Sequence, residues 1–206
     1  MSRIPAAPPT RRPRLLVIRH GDTAWTRTGQ HTGRTDLALE PAGEAQAAAW
    51  APLLAGRSFV QVLTSPLTRA RRTCELAGFG SQAKTCSDLQ EWDYGAYEGR
   101  TTADIHRERP DWDLWRDGVP HGEGPGDVAR RADRVIERAL AEVGDTLVFG
   151  HGHQLRVLCA RWLGQPPGEG RHYLLGAGAL GVLGWEHDWP AIEAWNLQPP
   201  APVPAP

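Results

Sequence analysis

Leu15-Leu16-Val17-Ile18-Arg19-His20-Gly21 is the stretch on which the reading of this chain turns. A short continuous apolar run of this kind reads as a strand buried on both faces, placed here over residues 14–19. It ends by delivering a cation, an imidazole and a glycine. In open α/β sheets ligands bind outside such strand ends. A second run, Thr146-Leu147-Val148-Phe149, ends the same way in Gly150-His151-Gly152. Two strands that each carry a histidine into a glycine-flanked turn predict one shared site.

Outward from these two strands the pattern alternates. A helix is predicted from Pro41 through Leu54, with Pro41 suited to a first helical turn. A strand follows at Val60 to Thr64. Ser65 is read as the N-cap of a helix that starts at Pro66 and runs to Ala77. Further on come a short strand at Thr85 to Leu89 and a Trp- and charge-rich helical region over 101–117, interrupted at Pro110. An amphipathic helix is predicted over 126–143, with Val128, Ala132, Val135, Ile136, Ala139 and Leu140 on one face. After the strand at 146–149, the pattern predicts a helix over 154–163 and strands near 180–186 and 191–196. This alternation predicts an α/β fold, a three-layer α/β/α sandwich around a mostly parallel sheet, formed by a single domain over 14–198. Residues 1–13 read as a disordered leader, and the proline-rich 199–206 as a disordered tail.

With 206 residues, the chain can bury a sizeable core. A net charge of −1 gives no field that calls for nucleic acid or an anionic membrane. No apolar run approaches the roughly 20 residues of a membrane span, and the leader lacks the apolar core of a secretory signal. Cys74, Cys86 and Cys159 are scattered without metal spacing, and an odd count fits a reducing cytoplasm. A late edge strand leaves room for a homodimer.

The chemistry-bearing residues fit phosphoryl transfer. That reaction needs positive charge around the equatorial oxygens and an in-line nucleophile. A neutral imidazole such as His20 can be that nucleophile. Arg19 can hold phosphate oxygens in bidentate fashion, and Gly21 permits close backbone approach. Taken singly, His20 also fits an ordinary histidine satisfied at a strand end. Arg69, in the first turn of its helix, sits against the helix dipole unless an anion lies nearby. Arg71 and Arg72 read as solvated. Within Leu89-Gln90-Glu91-Trp92-Asp93-Tyr94-Gly95-Ala96-Tyr97-Glu98-Gly99, an acid desolvated by the aromatics could protonate a leaving oxygen. Glu91, Asp93 and Glu98 all compete for that role on composition.

Four segments together resemble the histidine phosphatase superfamily, in its phosphoglycerate-mutase-like branch. They are Arg19-His20-Gly21 with Thr23; Ser65-Pro66-Leu67-Thr68-Arg69-Ala70; Glu91 with Gly95 and Glu98-Gly99; and Gly150-His151-Gly152. The resemblance runs from about Leu15 to His153. It implies that His20 is phosphorylated, that Arg19, Arg69 and His151 bind the phosphoryl group, and that Glu91 is proton donor and then base. It further implies that Thr23 cradles the phosphate and that Thr32 and Gly33, with His31, Arg34 and Asp36, belong to a substrate loop. Tyr94, Gly152 and His153 are expected at the substrate, and residues 92–124 as a cap or substrate region. No metal and no cofactor is implied.

Mutases of this branch carry a lysine shortly after the Glu-Gly turn and an arginine pair in an insertion. Thr102 stands where that lysine belongs, and Trp112-Asp113-Leu114-Trp115 supplies no such pair. Hydrolysis is therefore the expectation: a metal-independent phosphomonoesterase for a small phosphorylated metabolite such as a sugar phosphate or bisphosphate. The segments around His31 and Glu91 resemble most a subgroup with acid phosphatases and sedoheptulose-bisphosphatase-like enzymes. A phosphoglycerate mutase and a catalytically silent phosphate-binding module are the rivals. Gly122-Glu123-Gly124 replaces the family's Gly-Glu-Ser, leaving Glu123 as a rim residue. Three features read blandly. Gly176-Ala177-Gly178-Ala179-Leu180-Gly181 fits a dinucleotide pattern but precedes a strand, so it reads as a loop beside the site. His151 and His153 lack a third ligand for a metal. The nine tryptophans are too scattered for a nucleic-acid platform and read as core or pocket rim.

Overall fold

The computed structural model describes residues 12–199. Most of the expected leader and tail, 1–11 and 200–206, lies outside those residues. Arg12 and Pro13, assigned to the leader, are tied down instead. Arg12 pairs with Asp188 at 2.7 Å and lies over the Trp185 ring, whose indole N–H donates to the Pro13 carbonyl.

Six strands form one sheet: β1 (Leu15–Arg19), β2 (Gln61–Thr64), β3 (Lys84–Thr85), β4 (Thr146–Gly150), β5 (Leu180–Glu186) and β6 (Trp189–Leu197). Their order is β3-β2-β4-β1-β5-β6. The four strands β3, β2, β4 and β1 are parallel; β5 runs antiparallel to β1, and β6 antiparallel to β5.

Period-two alternation sends the strand side chains to two separate cores. Leu15, Val17, Leu63, Val148 and Leu183 pack on one face with residues of α7 (Pro125–Leu140) and α8 (Gly152–Trp162), including Val128, Val135, Leu155 and Leu158. Leu16, Ile18, Val62, Leu147 and Phe149 pack on the other with Trp50, Leu54 and Cys74, from the layer of α2 (Pro41–Ala48), α3 (Ala51–Leu54) and α4 (Thr68–Leu76). This is the three-layer sandwich read from the alternation. On α7 the expected apolar face is buried at Val128, Ala132, Val135 and Ala139, whereas Leu140 at its end is 41% exposed.

Several boundaries differ from the local reading. The helix expected over 41–54 breaks at Ala49-Trp50 into two pieces, because Pro52 has no N–H to continue the ladder and starts a new helix at its N-terminal turn; Trp50 at the break is buried and donates its indole N–H to Gly178 O. The strand expected over 85–89 stops at Thr85 and turns into a 3-10 turn, Ser87–Leu89, which buries Leu89. Ser65 is not an N-cap. The helix begins at Thr68, where Asp36 accepts from the Thr68 backbone N–H and hydroxyl, both at 2.7 Å. The region 101–117 resolves into α5 (Thr102–Glu108) and α6 (Leu114–Asp117) on either side of Pro110. A five-residue helix not anticipated, α1 (Ala24–Thr28), follows β1 directly.

Glycine at position 21 is required by packing. A Cβ there would stand 2.2 Å from the Gly43 carbonyl oxygen, so α2 seats its backbone directly against the end of β1.

Candidate active site

The carboxyl ends of β1 and β4 lie side by side, with Arg19 in register with Gly150 and His20 N donating to Gly150 O at 3.0 Å. This pairing brings the two sequence-distant histidines together: the His20 and His151 rings are 5.1 Å apart, edge to face.

Each imidazole has its tautomer set by its partners. His20 Nδ1 lies 2.8 Å from the Gly21 carbonyl, which only accepts, so Nδ1 carries the proton and Nε2 is bare. His151 Nδ1 accepts from Arg69 Nε at 3.2 Å, so its Nε2–H donates to Ser65 Oγ at 2.8 Å. Burial, followed by the Arg69 and Arg19 guanidiniums, pushes the pKa of His20 well below the ordinary histidine value. Burial, then Arg69, His20 and Arg19, does the same to His151. Both rings are therefore neutral at neutral pH.

The two arginines differ in what they have left to offer. Arg19 spends Nη1 on Leu175 O at 2.7 Å, and its Nε is buried without a hydrogen-bond partner. Arg69 is fully buried and nearly saturated. Besides His151, it donates to Thr35 O, Thr32 O and Gly33 O at 2.8, 3.0 and 2.9 Å. Of its five N–H groups, one remains. Glu91 is held by three backbone N–H groups. Oε1 accepts from Trp92 at 2.8 Å and Gln154 at 2.9 Å, and Oε2 from His153 at 3.1 Å. Two of these donors are orphan groups of the first turn of α8, so this carboxylate caps that helix.

A cavity of about 250 Å³ opens over these groups. Among the expected residues, Arg19, His20, Thr32, Glu91, Tyr94, Gly152 and His153 line it. Arg69 and His151 lie buried beside His20, not on the cavity wall. Thr23 is placed elsewhere than expected. Its hydroxyl sits in the capping box of α1 with Thr26, and Thr26 faces the cavity instead. Gly33 lies behind the wall, in a recess of about 70 Å³ shared with Glu123 and Arg131. Glu123 is no rim contact. It accepts from Arg131 at 2.7 Å and from Asp93 N at 2.9 Å, which fixes the turn after Glu91. The Gly176–Gly181 loop packs beside the site as read, with Gly178 N donating to His20 O.

The outer wall carries His31, Tyr94 and His153. Tyr94 Oη is 2.5 Å from His153 Nδ1, and the His31 and Tyr94 rings are 4.7 Å apart. Burial lowers His31 to about 4 and His153 well below its ordinary value. Thr102 faces His31 Nε2 at 3.4 Å. Arg156 also lines the cavity and was not singled out by sequence. It donates to the Gly170 and Arg171 carbonyls and lies 4.6 Å from the Trp115 ring centroid. Its spacing was the available signal, since positions 152 and 153 share a helix face with 156.

These lowered pKa values carry a stability consequence. Below 6.5 the unfolded histidines take up protons that the folded ones refuse, so stability is full above 6.5 and falls as pH drops toward 4. His31 alone should cost on the order of 1–2 kcal/mol at pH 5. The urea midpoint should therefore be lower at pH 5 than at pH 7, and His31→Gln should narrow the difference. An unchanged midpoint would contradict the buried neutral ring.

The model of the histidine phosphatase superfamily (branch 1) matches residues 15–198. An acid phosphatase of Mycobacterium tuberculosis is 39% identical over 178 residues, covering 84% of this chain and 87% of the relative. A sedoheptulose 1,7-bisphosphatase of Saccharomyces cerevisiae is 33% identical, covering 90% and 93%. The solved structure of the Rv3214 product of Mycobacterium tuberculosis superimposes with a TM-score of 0.86 at 37% identity, covering 91% of this chain and 99% of that one.

Proposed function

Because the chain belongs to the histidine phosphatase superfamily (branch 1) and is a phosphatase, we propose that His20 Nε2 is its nucleophile and Glu91 its acid and base. The bare Nε2 of His20, fixed by the 2.8 Å bond at Nδ1 and opening on the cavity that Arg19 and Glu91 share, carries this reading. In the first step Nε2 bonds to phosphorus, the ester P–O bond breaks, and the alcohol oxygen takes the proton of Glu91. In the second, water attacks phosphorus and passes a proton to the Glu91 carboxylate. The N–P bond breaks, and inorganic phosphate and neutral His20 are regenerated. Arg19, with four N–H groups free of partners, stabilises the equatorial oxygens, and Arg69, buried beside His20 and held by His151, adds positive charge from behind the cavity wall. These cations supply the charge that a metal provides in other phosphoryl-transfer sites, so activity should persist in chelator.

The leaving alcohol is read as a small hydroxylated metabolite, a sugar phosphate or bisphosphate. Thr26, Thr32, Tyr94 and Thr102 bring hydroxyls to the cavity, and the region 92–124 supplies two of these. Arg156 binds only backbone carbonyls and an aromatic face, which leaves its charge available to a second anionic group. A panel of sugar monophosphates, bisphosphates and p-nitrophenyl phosphate tests this. Arg156→Ala should raise KM for bisphosphates about tenfold or more and leave p-nitrophenyl phosphate nearly unchanged. Equal effects on all substrates would remove Arg156 from recognition. With Thr102 facing His31 in place of a lysine, phosphate release should outpace isomerisation of 3-phosphoglycerate. The reverse order would make the enzyme a mutase.

No helix among the described residues is long and apolar enough to cross a membrane. Cys74, Cys86 and Cys159 are free and buried, which supports a cytoplasmic setting. A homodimer would form through the outer edge of β6.

A further inference from the structure

Glu98 competed with Glu91 for the acid's role on composition, and the proposed mechanism leaves it unused. Its carboxylate nonetheless makes specific contacts. Oε1 accepts from Gly33 N at 2.9 Å and Thr35 N at 3.0 Å, and Oε2 accepts from Gly33 N at 3.0 Å. On the other side of the same four residues, Arg69 donates to the carbonyls of Thr32, Gly33 and Thr35. One short backbone segment is thus gripped through its N–H groups by an anion and through its C=O groups by a cation. Charge-assisted bonds of this type are the stronger kind. The fit leaves no space at Gly33, where a Cβ would lie 2.7 Å from Glu98 Oε2 and 2.6 Å from Trp92 O.

The gripped segment leads directly into the cavity wall. Thr32 and His31 both line the cavity. The His31 backbone is held by the turn that carries Glu98, since His31 N donates to Arg100 O at 2.9 Å and Gly99 N to His31 O at 2.8 Å. His20, Arg19 and Glu91 take no bond from Glu98. The carboxylate therefore supports the side of the cavity that meets the leaving alcohol, and it reaches the phosphoryl side only through the segment it shares with Arg69.

From this geometry we infer that Glu98 is a positioning residue for leaving-group recognition: with Arg69 it clamps residues 32–35 and so fixes His31 and Thr32 against the alcohol portion of the substrate. The inference rests on the reading of the cavity as the substrate pocket. Glu98→Gln removes the charge and, with its carbonyl oxygen in the Oε1 place, puts an amide N–H against the Gly33 N–H where Oε2 accepted. Glu98→Asp keeps the charge and withdraws it by one methylene.

The test compares wild type, Glu98→Gln and Glu98→Asp on p-nitrophenyl phosphate and on the best sugar phosphate of the panel, with inorganic phosphate as inhibitor. For Glu98→Gln, kcat on p-nitrophenyl phosphate and inhibition by phosphate should stay within about twofold. KM for the sugar phosphate should rise about tenfold, one hydrogen bond's worth of binding. Glu98→Asp should fall between. An NMR titration of His31 in Glu98→Asp gives a second readout: that variant keeps the negative charge that raises His31, so a slack loop that admits water moves the pKa up from about 4 toward the ordinary value. Equal losses on both substrates, or an unchanged KM ratio with an unmoved His31, would overturn the inference. If Glu98→Gln does not fold, Glu98→Asp alone decides by the same criteria. Failure of the wild type to release phosphate from any ester would instead defeat the proposed function.

Discussion

Alanine at position 20 should lower phosphate release by about 10⁴-fold or more, the scale seen when a covalent nucleophile is removed from an otherwise intact site. No neighbour can take over. The nearest imidazole, His151, has both nitrogens engaged, by Arg69 and by Ser65, and His153 and His31 stand on the outer wall, bonded to Tyr94 and Thr102. Water attacking directly would still benefit from Arg19 and Arg69, which accounts for a residual rate above the uncatalysed one. The companion measurement is chemical. Rapid quenching of wild type with radiolabelled substrate should trap phosphate that is acid-labile and base-stable, the behaviour of a phosphorylated imidazole nitrogen. It should map to the peptide containing Arg19-His20-Gly21 and be absent from His20→Ala. Near-normal turnover by the alanine variant would eliminate the covalent route. Burial and the two guanidiniums hold His20 neutral, so this nucleophile should also stay competent well below pH 6.5.

Glutamine at position 91 should have a smaller but more discriminating effect. General acid–base assistance contributes roughly 10²–10⁴-fold. On a sugar phosphate, whose alcohol leaves poorly without a proton, the whole of this should be lost from the first step. p-Nitrophenolate leaves unaided, so the first step should survive with that ester while attack by water, deprived of its base, becomes slow. The expected trace is a burst of about one equivalent of p-nitrophenol followed by a slow steady state, with phosphoenzyme accumulating. Equal steady-state losses on both esters without a burst would reassign the proton transfers. Because the Glu91 carboxylate caps α8 through the His153 and Gln154 N–H groups, the variant should also lose about 1 kcal/mol of stability. Its thermal midpoint must therefore be recorded before rates are compared.

The two strands at the middle of the sheet were readable because burial on both faces leaves a dense apolar run, and because both end in histidine beside glycine. Part of what escaped the sequence was supplied from a distance. The cap of α4 comes from Asp36, 32 residues away, so Ser65 looked like the cap while it was in fact the partner of His151. The helix break at Trp50, by contrast, is local and went unread: Pro52 stands inside the expected helix. β3 is two residues long because the chain turns at Ser87-Asp88 and buries Leu89. Thr23 illustrates the limit of a resemblance: the motif contains a threonine, but here its hydroxyl closes a helix cap and leaves the cavity to Thr26. Arg156 went unread because arginine on an amphipathic helix is ordinarily a solvated residue. Only the approach of the 167–172 segment turns it into a cavity wall.

The sheet order also sets when the enzyme can come into being. The strand bearing His20 sits at the centre, yet both of its neighbours come from the last third of the chain. Its parallel partner is 131 positions downstream, and β5 follows later still. During synthesis, β1 therefore leaves the ribosome first and waits unpaired, its apolar faces exposed, until nearly everything else has been made. Long-range pairings of this sort are slow to form and leave nascent chains prone to aggregation. A chain halted before residue 146 would contain His20, both arginines and Glu91 and still have no pocket.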